Sequence, residues 1–159
     1  MEFEFRPVIN ERSCELTKIL VLHGKGMEMR GKTDTDIFGT MTLPEYDEKI
    51  TKYASDLNVE VDIFHSNDVS EVISKVNEMC SVKAIKGILI NPAGFTVGNP
   101  TLEKALKTAG VDVVEIHMSN PARRGRISDI APVCRGVIAG MGIEGYKYGL
   151  KALKEFMSN

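Results

Sequence analysis

A doubly wound α/β fold on a five-stranded parallel sheet is predicted by three features of this sequence. Five short Val- and Ile-rich runs recur along the chain, helical periods fill the gaps between them, and polar residues collect where the runs end. The runs are KILVLHG (18–24), VEVDIFH (59–65), KGILINP (86–92), VDVVEIHM (111–118) and RGVIAG (135–140). Their length and β-branched content suit strands covered on both faces. The order β-α-β-α-β-α-β-loop-β-α gives a flavodoxin-like sheet with strand order 2-1-3-4-5. Residues 1–17 read as an extension before one domain at 18–159, and MEFEF within it reads equally as an added edge strand, since it alternates, or as disordered chain.

The helices follow in turn. Leu43, Tyr46, Ile50, Tyr53 and Leu57 mark one face of the first, and Thr42 with Glu45 spells a capping box in front of it. Asp68 and Glu71 predict a similar start for DVSEVISKVNEMC. Asn99-Pro100 opens the third helix and Gly110 closes it. Ile143, Tyr146, Leu150, Leu153 and Met157 line the last.

Composition narrows the function. A net charge of −2 gives no bulk attraction to nucleic acid or an anionic membrane, and no apolar stretch is long enough to span a bilayer. The N-terminus is acidic and lacks the apolar core of a secretory signal. Cys14, Cys80 and Cys134 are odd in number and far apart, which predicts reduced thiols and a cytoplasmic location.

Four stretches offer chemistry. GMEMRGKT (26–33) has the spelling of a phosphate-binding P-loop. That site needs a helix directly after its lysine, whereas DTDIFGTMT reads as a long, mobile loop with its first helix signal at Thr42. His23, His65 and His117 all end strands, but strands 2 and 4 stand about 14 Å apart, too far for easy convergence on a metal. In VEIHMSN, Glu115 and His117 are i and i+2 and share a face of the strand. The carboxylate would orient the imidazole and favour its charged form, giving either a general acid or an ordinary strand-end ion pair. Arg123, Arg124 and Arg126 follow, either as solvated surface or as a clamp for a small anion.

The segments KILVLHG, IFG with TMTL, HSNDVSE, ILINPAGFT, VVEIHMSN and GVIAGMGIEGYKYGL stand in the order seen in type II 3-dehydroquinate dehydratases, and the chain resembles that family from residue 18 to about 157. The resemblance implies the fold described above, a dodecamer built from trimers, and elimination of water from 3-dehydroquinate in the shikimate or quinate pathway. The reaction passes through an enolate, without metal or organic cofactor. It implies His117 as general acid, Glu115 as its partner, and Met118 with Ser119 at the substrate carboxylate. Asn91 and Arg126 become further substrate contacts.

The lid departs from the family pattern. HGKGMEMRGKTDTDIFG aligns without a gap to a stretch reading roughly NGPNLNLLGxREPxxYG. The tyrosine that takes the substrate's α-proton is Phe38 here, its activating arginine is Thr33, and the asparagine that helps hold a water is Gly26. A histidine beyond the INP motif is Val97, and an acid reaching a neighbouring subunit is Lys104. Phenylalanine cannot act as a base, and a positioned base contributes about 10²–10⁴-fold. Little turnover is therefore expected unless Lys32, Arg30 or Glu28 takes over. The sequence thus predicts a dehydratase-like lyase acting on a small anionic carboxylate, with His117 as acid. Two alternatives stand beside it: a paralogue for another anionic metabolite, and an inert metabolite-binding module.

Overall fold

Runs of Val, Ile and Leu hold an extended backbone when other elements cover both of their faces. The computed structural model describes residues 17–158. Its strands are β1 (Thr17–Lys25), β2 (Val59–His65), β3 (Gly87–Ala93), β4 (Asp112–His117) and β5 (Gly136–Ala139). They pair in parallel in the order β2-β1-β3-β4-β5, the order expected from the sequence. β1 begins at Thr17, one residue inside the expected extension; MEFEF lies outside the described residues.

Alternate residues of the strands feed two cores. α2 (Leu43–Asp56) and α5 (Glu144–Met157) cover the face bearing Ile19, Val21, Leu89, Val114 and Ile116. α3 (Val69–Ser81) and α4 (Pro100–Lys107) cover the face bearing Leu20, Leu22, Ile88, Ile90 and Val113. α5 comes closest at Gly149, where any Cβ would collide with Leu89.

The helix starts follow the sequence unevenly. Thr42 and Glu45 form the expected capping box, with the Thr42 N–H and hydroxyl both donating to Glu45 at 2.7 Å. Asp68 caps α3 by accepting from Ser70 N at 2.8 Å. Glu71 instead accepts from the Ser66 hydroxyl at 2.6 Å, so the box is only half made. Asn99 donates to the carbonyls of Phe95 and Val97 and does not cap α4 with its side chain.

The expected helix-free loop after β1 is a correction. It holds a 3-10 turn at Met27–Met29 and a one-turn helix, α1 (Thr35–Phe38). Met27 is fully buried in the core beneath α2, and the Tyr46 hydroxyl donates to the carbonyl of Phe38 at 3.3 Å. The root of the loop is tied to the turn after β2, where Gly26 N donates to Asn67 at 2.8 Å and Asn67 donates to Glu28 at 2.7 Å.

Candidate active site

Parallel strands deliver their last residues to one rim of the sheet, and in open α/β sheets ligands bind there. At the ends of β1, β3 and β4 a cleft of ≈ 320 Å³ opens under the loop. Gly24 keeps β1 and β3 close, since a Cβ there would collide with the carbonyl of Pro92. Ala93 leaves β3 with a left-handed φ of 46° and lines the cleft.

On β4, His117 Nε2 lies 2.6 Å from Glu115 Oε1. Glu115 is fully buried, and its second oxygen has no hydrogen-bond partner. This bond commits Nε2, so Nδ1 is the ring nitrogen left for the cleft that His117 lines. The strand end is pinned from the loop after β5, where Gly140 N donates to the carbonyl of His117 at 3.1 Å and Gly142 N donates to that of Met118 at 2.9 Å.

The arginine stretch folds as a 3-10 turn at Pro121–Arg124, capped by Asn120, whose side chain accepts from Ala122 N at 3.1 Å. Arg124 donates to the Ser119 hydroxyl at 2.9 Å. Arg126, the arginine expected from the sequence, lines the cleft with Arg124, Ser119 and Met118. The sequence offered Arg124 as part of an anion clamp but not its bond to Ser119. Its spacing of five from Ser119 becomes a contact only through the turn.

Asn91 lines the cleft from β3 and is held from below by a buried chain of hydrogen bonds. Its Nδ2 donates to the Tyr146 hydroxyl at 3.1 Å, that hydroxyl lies 3.1 Å from His23 Nδ1, and His23 Nε2 lies 3.0 Å from Asp47. Burial pushes the Tyr146 phenol far above its usual range, against a smaller opposing effect of the Asn91 bond, so the hydroxyl keeps its proton. It then donates to His23 Nδ1, and His23 donates from Nε2 to Asp47. That leaves the Asn91 carbonyl oxygen as the group of this side chain available to a ligand in the cleft. Tyr146 was legible only as part of the apolar face of the last helix, although a buried tyrosine hydroxyl calls for a partner.

The three strand-end histidines take three different carboxylates: Asp47, Glu28 and Glu115. Among the described residues no three His, Cys, Asp or Glu side chains gather as a metal-binding group. The Asn67 hydrogen bond is the main influence holding the Glu28 carboxyl below its usual range.

From the loop, Gly26, Met29, Arg30, Thr33, Asp34 and Phe38 line the cleft. Lys32 is exposed on the same loop and is not among the residues lining the cleft. Val97 is exposed and also stands outside the cleft. The P-loop spelling builds no phosphate cradle. Asp34 follows Thr33 in a left-handed conformation with φ 50°, and α1 has only four residues. Together these groups can hold a polar carboxylate compound and offer it a proton from an oriented imidazole.

A family model described as dehydroquinase class II matches residues 17–154. A 3-dehydroquinate dehydratase of Halothermothrix orenii is 38% identical over 141 residues, covering 87% of this chain and 94% of the relative. A 3-dehydroquinate dehydratase of Endomicrobium trichonymphae is 36% identical, covering 89% of this chain and 100% of the relative. The crystal structure of a type II dehydroquinase from Butyrivibrio crossotus superposes with a TM-score of 0.83 at 29% identity, over 87% of this chain and 98% of that one.

Proposed function

The chain belongs to the class II dehydroquinase family, and from that premise we propose that it is a carbon–oxygen lyase that eliminates water from 3-dehydroquinate. The observation that carries this reading is the buried Glu115–His117 pair at 2.6 Å, opening onto a cleft lined by Asn91, Ser119 and arginines. His117 acts as general acid through Nδ1, with Glu115 holding the ring. Ser119, the Met118 backbone, Arg124 and Arg126 receive the substrate carboxylate, and the Asn91 oxygen accepts from a substrate hydroxyl.

Phe38 in the lid has no group to take the α-proton. Glu28 is engaged with Asn67 and His65, and Lys32 lies outside the cleft. Arg30 lines the cleft but has no proton-accepting form near neutral pH. Asp34 is the one carboxylate among the described lining residues, and we assign it the base. A carboxylate can remove a proton beside a carbonyl. The α C–H electrons then form the enolate. As these electrons return to make the carbon–carbon double bond, the C–O bond breaks and the leaving hydroxyl takes the His117 proton as water. Turnover of 3-dehydroquinate, followed by the ultraviolet absorbance of the conjugated enone, tests this reading. His117→Asn and Asp34→Asn are each expected to lose about 10²–10⁴-fold in kcat. Wild-type turnover unaffected by His117→Asn would exclude it.

Phe38 and Thr33 favour one second reading, a related hydroxy or keto acid as the preferred substrate, which a comparison of kcat/KM values decides. Assembly as a trimer-based dodecamer is part of the proposal. It is supported by exposed Val137 on the edge strand β5 and by exposed Met141 just beyond it. Sedimentation should then give twelve times the chain mass of 17.5 kDa. The free thiols Cys80 and Cys134 support a cytoplasmic place for the enzyme, in the shikimate or quinate pathway.

A further inference from the structure

Charges taken out of water are ordinarily paired, because burial strips hydration that only opposite charges or good hydrogen bonds replace. Arg30 departs from that rule. It is 9% exposed, and its Nε is buried without a hydrogen-bond partner. None of the ion pairs among the described residues includes it. Its guanidinium carbon lies 3.6 Å from the centroid of the Phe38 ring. That contact offsets part of the lost hydration but offers no acceptor in the plane of the N–H groups. Burial is the main influence on it and lowers its pKa; Tyr46, Tyr146 and, last, Asp34 act in the other direction, and Asp34, the one carboxylate among them, does so without forming an ion pair.

Arg30 lines the cleft beside Lys25, while Ser119, Arg124 and Arg126 line it from the loop that follows β4. Four cations therefore border the cleft against one carboxylate, Asp34. A leucine stands at the position of Arg30 in the family pattern to which the lid aligns, so this charge is a feature of the present chain. The missing partner of a buried guanidinium that faces a ligand cleft is an anion carried by the ligand.

We propose that Arg30 binds an anionic oxygen of the substrate at the lid end of the cleft, apart from the carboxylate held at Ser119 and Arg124. The assignment rests on the reading of this cleft as the dehydratase site. The oxygen has two possible origins. It is either the carbonyl oxygen that becomes charged as the enolate forms, or a second acid group already charged in the free substrate. In the first case Arg30 acts only in the transition state, as a preorganised cation in a dry site. In the second it binds the ground state.

The test compares the wild-type chain with Arg30→Leu and Arg30→Lys in three measurements: melting temperature without ligand, kinetics on 3-dehydroquinate, and stabilisation by citrate as a multiply charged probe against quinate as a singly charged one. Arg30→Leu removes an unpaired buried charge, so the ligand-free melting temperature should rise by about 2–4 °C. A loss of about 100-fold or more in kcat at unchanged KM identifies the enolate oxygen. A raised KM, with the citrate stabilisation lost and that by quinate kept, identifies a second acid group. Arg30→Lys should restore part of either loss, since it returns the charge without the fork.

Unchanged kinetic constants together with unchanged citrate stabilisation overturn the proposal, whatever happens to stability. So does a fall in melting temperature that Asp34→Asn reproduces, because Asp34 would then be the partner. A wild type that leaves 3-dehydroquinate untouched sinks the dehydratase reading instead. Arg30 is then judged by citrate and the melting temperatures.

Discussion

At His117 the proposed acid chemistry depends on one hydrogen bond, the 2.6 Å contact of Nε2 with Glu115. The same carboxylate reaches Cys134, whose thiol is pushed up to about 12, first by burial and then by the charge of Glu115. Cys134 should therefore resist alkylation by iodoacetamide in the folded protein at pH 8 and react only on unfolding. Rapid labelling of the native protein would contradict this environment. Glu115→Gln removes the lesser cause and leaves burial, so the thiol should stay unreactive while turnover falls. Individual residues were legible where their partners were local. Glu115 and His117 could be paired because a strand repeats every two residues. Asp47 escaped notice, and the partners of Tyr146 and Arg124 were not readable, because these contacts depend on how α2, α5 and the arginine turn pack. Arg30 was visible within the P-loop spelling and as one candidate replacement base, and Asp34 only as the first residue of the loop that follows that spelling.

The elements differ in how firmly their own sequence sets them. α2 carries its start in the Thr42–Glu45 box, and the bonds from Thr42 hold the Glu45 carboxyl below its ordinary 4.5. A depressed folded pKa stabilises the fold above the unfolded value, and that contribution fades as pH falls through the folded one. Glu45→Ala should accordingly lower the melting temperature at pH 7, and its gap from wild type should close as pH drops below 4.5. A gap that stays constant to pH 3 would contradict the cap. β1 to β5 were legible as short Val- and Ile-rich runs, and α2 to α5 by their start signals and hydrophobic periods of about 3.6, which need only a few residues to show. The one-turn helix α1 was not. Four residues hold little more than one period, and its place comes from Tyr46 bonding to Phe38 and from Met27 buried beneath α2. The strand order was readable because parallel crossovers leave few topologies open.

Across the whole molecule the proposed acid and base stand on different kinds of support. His117, Glu115 and Asn91 sit on β3 and β4, in the middle of a sheet packed on both faces. Phe38, Asp34 and Arg30 come from the lid after β1, where this chain departs most from the family pattern. Divergence concentrated in the lid would change how the α-proton is taken while leaving the release of water to the rim of the sheet. The two steps should then be separable. The direct test is nuclear magnetic resonance of 3-dehydroquinate with His117→Asn in deuterated water, recording α-proton exchange and enone formation in one sample. Exchange should persist while elimination falls by about 10²–10⁴-fold. Elimination at the wild-type rate, or exchange lost along with it, would contradict an acid at His117 that works independently of the lid.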